Sequence, residues 1–168
     1  MTPLEIALNT EQEGKELYTR AHANAGNSLA REIFAFLIRE ESRHYEIILE
    51  YADKLKVEGR MPEAPLAFGD IQGLKTIFSD ALAEVGQALP EDSDDMAAIE
   101  RAMEFEKNGV QYYEKFSADA QDENEKAFFS RLANEEQGHY MVLLDAFEAL
   151  KDPKAWQEKA SKIGLDGA

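Results

Sequence analysis

The chain has 168 residues, 44% of them hydrophobic, with Gly 10 and Pro 5, which suits one compact domain with a sizeable core. Its 34 acidic residues against 18 basic ones give a net charge of −16, a field that repels phosphate backbones and anionic lipid and concentrates cations, so neither nucleic acid nor membrane is an expected partner. With Cys 0, disulfide scaffolds, thiol catalysis, Cys-ligated zinc and iron–sulfur clusters are excluded together.

The first residues, MTPLEIALNTEQEGKEL, carry no basic region followed by an apolar one, and no apolar run approaches membrane-spanning length. The expected location is the cytoplasm. Thr2-Pro3-Leu4-Glu5 reads as a capping box with Pro at the first helical position. Leu4, Ala7, Leu8, Glu11, Gly14, Tyr18 and Ala21 then share one face at steps of three and four. Gly26 is a stop, and Asn27 or Ser28 caps a second helix with the stripe Phe34, Leu37, Glu41, His44, Ile48, Tyr51, Leu55. Gly59 and Pro62 end it.

Between about 58 and 94, Pro62, Pro65, Gly69 and Pro90 punctuate one amphipathic piece, Ile71, Leu74, Phe78, Leu82, Val85, Leu89. This predicts a long crossover with a lesser helix. A third long helix starts near Ser93 with the stripe Ile99, Ala102, Met103, Glu106, Val110, Tyr113. A fourth starts at Asp122, with Glu125 as capping partner and the stripe Phe129, Leu132, Glu136, His139, Leu143, Leu150. Asp152-Pro153 restarts a tail helix holding the single Trp, Trp156. The expected fold is all-α: one domain over 1–168, with helical hairpins at 3–57 and 95–151, a crossover at 58–94 and a tail helix at 153–163.

The two halves repeat at an offset of 95 residues. Glu11 meets Glu106, Gly14 meets Gly109, Tyr18 meets Tyr113, Phe34 meets Phe129, Glu40-Glu41 meets Glu135-Glu136 and His44-Tyr45 meets His139-Tyr140. Shared amphipathicity could match apolar residues but has little reason to match carboxylates and histidines. The matched polar residues interrupt apolar stripes that hold no Lys or Arg. Four carboxylates buried together repel one another, and the remedy is a buried cation.

Residues three apart on a helix point the same way, so Glu41-x-x-His44 and Glu136-x-x-His139 each offer an oxygen and a nitrogen to one point. With Glu11 and Glu106 they form the ligand pattern of a dinuclear carboxylate site in a four-helix bundle, and four carboxylates balance two divalent ions. Mixed oxygen and nitrogen ligands suit iron or manganese better than calcium.

These stretches resemble the rubrerythrin-type ferritin-like proteins, whose helices carry E-x6-Y and E-x2-H: Glu11 to Tyr18, Glu106 to Tyr113, Glu41 to His44 and Glu136 to His139. The resemblance covers the four bundle helices and not the crossover or tail. It implies two iron ions, with manganese or zinc as substitutes, reacting with hydrogen peroxide or dioxygen. It also implies that Glu41 and Glu136 bridge the metals, with His44 and Glu11 terminal on one side and His139 and Glu106 on the other. The sequence leaves open which metal each terminal glutamate serves. Two departures stand out. The rubredoxin domain of full-length rubrerythrins has four Cys and this chain has none, so an external donor such as a rubredoxin-like protein is expected. The family's additional Glu one turn after the third-helix ligand is here Gly109.

Tyr18 and Tyr113 read either as hydroxyls bonded to metal-bound carboxylates, or redox-active phenols nearby, or as plain core aromatics. Gly14 and Gly109 mark either close helix approach or open volume beside the metals. His22 has no counterpart, facing Ser117 in the repeat, and suits the end of its helix dipole. Tyr45 and Tyr140 read as packing residues, Trp156 as a tail anchor or interface residue, and Glu91-Asp92-Ser93-Asp94-Asp95 as a solvated helix start or a cation route.

The leading functional expectation is an oxidoreductase that removes peroxide or dioxygen as part of an oxidative-stress response, acting as a homodimer. The alternatives are an iron-handling ferroxidase or storage protein, an oxygenase with an organic substrate, and a non-catalytic metal-binding module.

Overall fold

A computed structural model describes residues 1–63 and 87–165. Among the described residues there are five helices: α1 (Pro3–Asn24), α2 (Ser28–Glu58), α3 (Asp94–Asp119), α4 (Glu123–Lys151) and α5 (Pro153–Leu165). The amphipathic piece expected over Ile71 to Val85 lies outside the described residues. No described helix is long and apolar enough to cross a membrane.

The helix ends are set by local chemistry. The Thr2 hydroxyl accepts from Glu5 N–H while the Glu5 carboxylate accepts from Thr2 N–H, and Pro3 supplies a first position that needs no donor. Asn27 Oδ1 accepts from the Leu29 and Ala30 amides, at 2.8 and 3.2 Å, and so opens α2. Gly59 closes α2 at φ 69°, a conformation that costs a side-chain-bearing residue much more. Ser93 caps α3 and Asp122 caps α4. Glu125 contributes its amide to the Asp122 cap, at 3.0 Å.

The helices assemble as an all-α bundle of two hairpins. α1 packs on α2 and α3 on α4, and the hairpins meet through α1 against α3 and α2 against α4. Tyr18 reaches Glu106 and Tyr113 reaches Glu11, so α1 and α3 run antiparallel. The apolar core is split in two. One cluster gathers Tyr18, Leu29, Ile33, Phe34, Leu37, Met96, Ile99, Leu143 and Leu150. The other gathers Leu4, Ala7, Ile48, Tyr51, Tyr113, Phe128, Phe129 and Leu132. On every long helix the matched Glu and His positions fall between the two. The bundle therefore carries a polar layer sandwiched by hydrophobic ones.

Two ties close the ends. Asp95 accepts from the Gly26 and Asn27 amides, at 3.1 and 2.7 Å, clasping the α1–α2 turn. Residues 91–95 are the largely exposed helix start expected, and Asp95 adds a second role because the α1–α2 turn offers amides that lack a helical acceptor. At α5, half-buried Trp156 donates to Asp145 Oδ1 at 2.8 Å and packs on the first cluster, which makes it the tail anchor.

Candidate metal centre

Each long helix delivers its share of the polar layer because the helical repeat keeps those positions on the core-facing stripe. α1 brings Glu11, α2 brings Glu41 and His44, α3 brings Glu106, and α4 brings Glu136 and His139. All six are buried, none more than 4% exposed. One ligand-type atom from each of Glu41, His44, Glu136 and His139 lies within 4.8 Å of the others. Glu11 and Glu106 flank this group. His44 Nδ1 is 3.2 Å from Glu11 Oε2 and 3.3 Å from Glu136 Oε1. His139 Nδ1 is 3.4 Å from Glu41 Oε1, 3.2 Å from Glu136 Oε2 and 3.6 Å from Glu106 Oε1. The imidazoles stack at 5.2 Å between centroids and 15° between planes.

The tyrosines act crosswise. Seven residues along a helix is about 10 Å, and neither tyrosine bonds the glutamate of its own motif. Tyr18 of α1 instead donates to Glu106 Oε1 of α3, and Tyr113 of α3 donates to Glu11 Oε1 of α1. Each phenol stacks on the phenylalanine of its own hairpin, Tyr18 on Phe34 and Tyr113 on Phe129. Burial and the nearby carboxylates push both phenols well above their ordinary range, so both remain donors at neutral pH. Of the readings open for them, a hydroxyl bonded to a site carboxylate is the one the geometry gives.

The electrostatics show a crowd of charges in need of compensation. Burial, followed by the charges of Glu11 and Glu136, pushes Glu41 well above the carboxylate range. Burial and Glu136 push Glu106 up to about 8. For His44 burial favours the neutral ring, but Glu11 and Glu136 outweigh it and bring the group up to about 10. His139 is likewise raised against burial, chiefly by Glu106, and Glu136 is held well below the carboxylate range by His139 and His44. Among the described residues, the four carboxylates form ion pairs with the two imidazoles and with no Lys or Arg.

The donor set fits a metal pair. Glu41 Oε1, Glu106 Oε2, Glu136 Oε1 and His139 Nδ1 are buried and, beyond the imidazole–carboxylate ion pairs above, make no hydrogen bond of regular geometry. A buried polar atom without a partner costs about 1–3 kcal/mol, more for a charged group. Four such atoms converging on one layer are accounted for by cations that bind them.

Three neighbours carried no functional assignment from the sequence. Glu40 and Glu135 bring carboxylate oxygens within 4.8 Å of a His44 nitrogen and of each other. Glu40 pairs with Arg43, and Glu135 pairs with Arg131 at 3.1 Å. Their repeat at the same offset as the site glutamates was the available signal. The third is Phe105, whose edge faces the Tyr18 ring at 6.1 Å. Its repeat mate is Thr10, so no periodicity flags it. His22 lies at the end of α1, outside the six-residue layer.

Residues 98–164 match the family model described as Rubrerythrin. The resemblance read from the residues is shown over that segment, which holds Glu106, Tyr113, Glu136 and His139, while Glu11, Glu41 and His44 precede it. No curated protein and no solved structure matches the chain.

Proposed function

We propose, from the premise that the second hairpin is of rubrerythrin type, that the chain is a non-haem di-iron oxidoreductase. It reduces hydrogen peroxide or dioxygen with electrons from an external donor. The observation that carries this reading is the buried layer of four carboxylates and two imidazoles, in which Glu41 Oε1, Glu106 Oε2, Glu136 Oε1 and His139 Nδ1 make no regular hydrogen bond. Glu11, Glu41, His44, Glu106, Glu136 and His139 would hold the metals, with Glu41 and Glu136 shared between them. Glu11 beside His44 and Glu106 beside His139 would be terminal. Two ferrous ions, when bound, supply two electrons to the peroxide O–O bond, which with two protons yields two waters.

The chain's own residues prepare that chemistry. Tyr18 and Tyr113 fix one oxygen of Glu106 and one of Glu11 by donated hydrogen bonds, so that the second oxygen of Glu106, without a hydrogen bond, and that of Glu11, beside His44, would be the ligating ones. The apolar clusters above and below keep bulk water from the layer. With no Cys in the chain, the electrons come from outside these residues, through a rubredoxin-like protein or a small reductant. We further propose a homodimer as the working form and the cytoplasm as its location.

The test is anaerobic loading with ferrous iron followed by oxidation with peroxide or dioxygen in parallel. The expected result is about two iron ions per chain, by the four-carboxylate charge balance, and oxidation faster with one of the two oxidants. Folded, loaded protein with iron near zero overturns the assignment. Rapid oxidation accompanied by accumulation of mineral in large particles points to iron storage instead.

A further inference from the structure

Gly14 and Gly109 are repeat mates with different surroundings. A Cβ placed on Gly14 would lie 2.8 Å from Glu41 Oε2 and 2.9 Å from Phe105 Cε1, closer than packed atoms sit. A Cβ on Gly109 would meet Glu136 Cγ at 3.4 Å and Cδ at 4.0 Å, which is ordinary contact. The difference continues outward. Phe105 closes over Gly14, but its mate Thr10 turns its hydroxyl back to Ile6 O at 3.0 Å and offers no ring to Gly109. The reading of Gly14 as open volume beside the metals is overturned, because the Glu41 carboxylate and the Phe105 ring already fill that space.

We infer that Gly14 is a positioning residue for the metal centre: its bare backbone and the Phe105 ring form a fitted seat for the Glu41 carboxylate, while Glu136 occupies a looser seat at Gly109. This deepens the metal-binding reading above and rests on it. The two shared carboxylates are then inequivalent despite the sequence repeat. Glu41 holds one orientation, and Glu136 is the carboxylate with room to turn. The reason is steric. A carboxylate oxygen of Glu41 and the Phe105 ring both press on the space that a Gly14 Cβ would take, whereas Glu136 approaches the Gly109 position no closer than 3.4 Å, and nearest through its Cγ.

Cobalt(II) titration of the 168-residue chain tests this, with metal per chain and the visible absorption band as readouts. The wild type is expected to take up two cobalt ions per chain, and Gly109→Ala to match it in count, affinity and band. Gly14→Ala is expected to lose at least tenfold in affinity for one cobalt and to shift the band. Phe105→Leu adds nothing to α1 but loosens the seat, so it should keep two cobalt ions with a shifted band. Gly14→Ala/Phe105→Leu should recover part of the lost affinity. A purely structural glycine would lower the melting temperature of Gly14→Ala without moving the band of Phe105→Leu. If Gly14→Ala does not fold, as seen by circular dichroism, Phe105→Leu carries the test, and a wild-type band there overturns the inference. Gly14→Ala that titrates like the wild type overturns it too, as does a Gly109→Ala perturbed to the same extent. A folded wild type that takes up no cobalt overturns the metal reading itself, which keeps the two failures apart.

Discussion

The first hairpin, α1 and α2, and the second, α3 and α4, present the same ligand set at the same spacing, yet they are not interchangeable. His44 faces Glu11 and Glu136, whereas His139 faces Glu41, Glu106 and Glu136. The space beside Gly14 is too tight for a Cβ, whereas the space beside Gly109 would admit one in ordinary contact with Glu136. The α1–α2 turn is clasped by Asp95, while Asn124 near the α3–α4 turn donates to Met61 O at 3.3 Å. A repeated motif thus fixes which atoms face the layer, and unrepeated neighbours decide how tightly each is held.

The comparison breaks most severely if a shared carboxylate is neutralised. Glu41→Gln or Glu136→Gln should lower metal content from about two per chain to one or fewer, by metal analysis after anaerobic loading. In metal-free protein the two variants should part company. Burial and the neighbouring carboxylates raise Glu41, so Glu41→Gln relieves repulsion and raises the melting temperature at pH 8. The imidazoles hold Glu136 ionised, so Glu136→Gln removes their counter-charge and lowers it. Equal shifts of one sign would erase the electrostatic difference between the halves.

The pH dependence of metal-free protein comes next in size. Glu106, raised from an ordinary 4.5 to about 8, contributes stability that is complete below 4.5 and lost as pH climbs to 8. His44, raised from 6.5 to about 10, contributes stability present below 6.5 and lost toward 10. Glu136 has the opposite sign and weakens the fold only as pH falls below its ordinary range. Metal-free protein should therefore melt higher at pH 6 than at pH 9, and bound metal should flatten the difference. Coincident melting profiles with and without metal would count against the buried-charge account.

Tyr18→Phe and Tyr113→Phe sharpen the comparison. Each removes a buried donor to a site carboxylate and should cost about 1.5–3 kcal/mol in denaturant unfolding. Similar losses are expected because each phenol bonds the glutamate of the opposite hairpin. Asp95→Ala should cost about 1 kcal/mol by freeing two turn amides, and Asn124→Ala less, since only one longer bond is lost. Gly109→Ala should stabilise by about 0.5–1 kcal/mol through helix propensity, because its Cβ fits. A final comparison concerns oxidation state. With no side chain at Gly109 one turn from Glu106, and none at Gly14, His44 and His139 should stay on their metals in oxidised and reduced crystals alike. A histidine replaced by a protein carboxylate would show that argument wrong.

What the sequence by itself determined was everything carried by local periodicity. Thr2, Asn27, Ser93 and Asp122 announce helix starts because their side chains satisfy amides within three residues. Glu41 and His44, or Glu136 and His139, point together because three residues are nearly one helical turn. The repeat at 95 residues then identified the polar layer, since packing alone has no reason to duplicate buried carboxylates. The tertiary structure decided whatever depends on the register between helices. That Tyr18 serves Glu106 rather than Glu11 follows from α1 and α3 running antiparallel. That Gly14 is crowded and Gly109 is not follows from where Phe105 comes to rest. That Asp95 clasps a turn nearly 70 residues away is visible only once the hairpins are docked. Hydrophobic stripes specify which faces meet but are nearly indifferent to small shifts along or around the axis. Those shifts set the contacts, and they are fixed by the close packing of side chains from four helices at once.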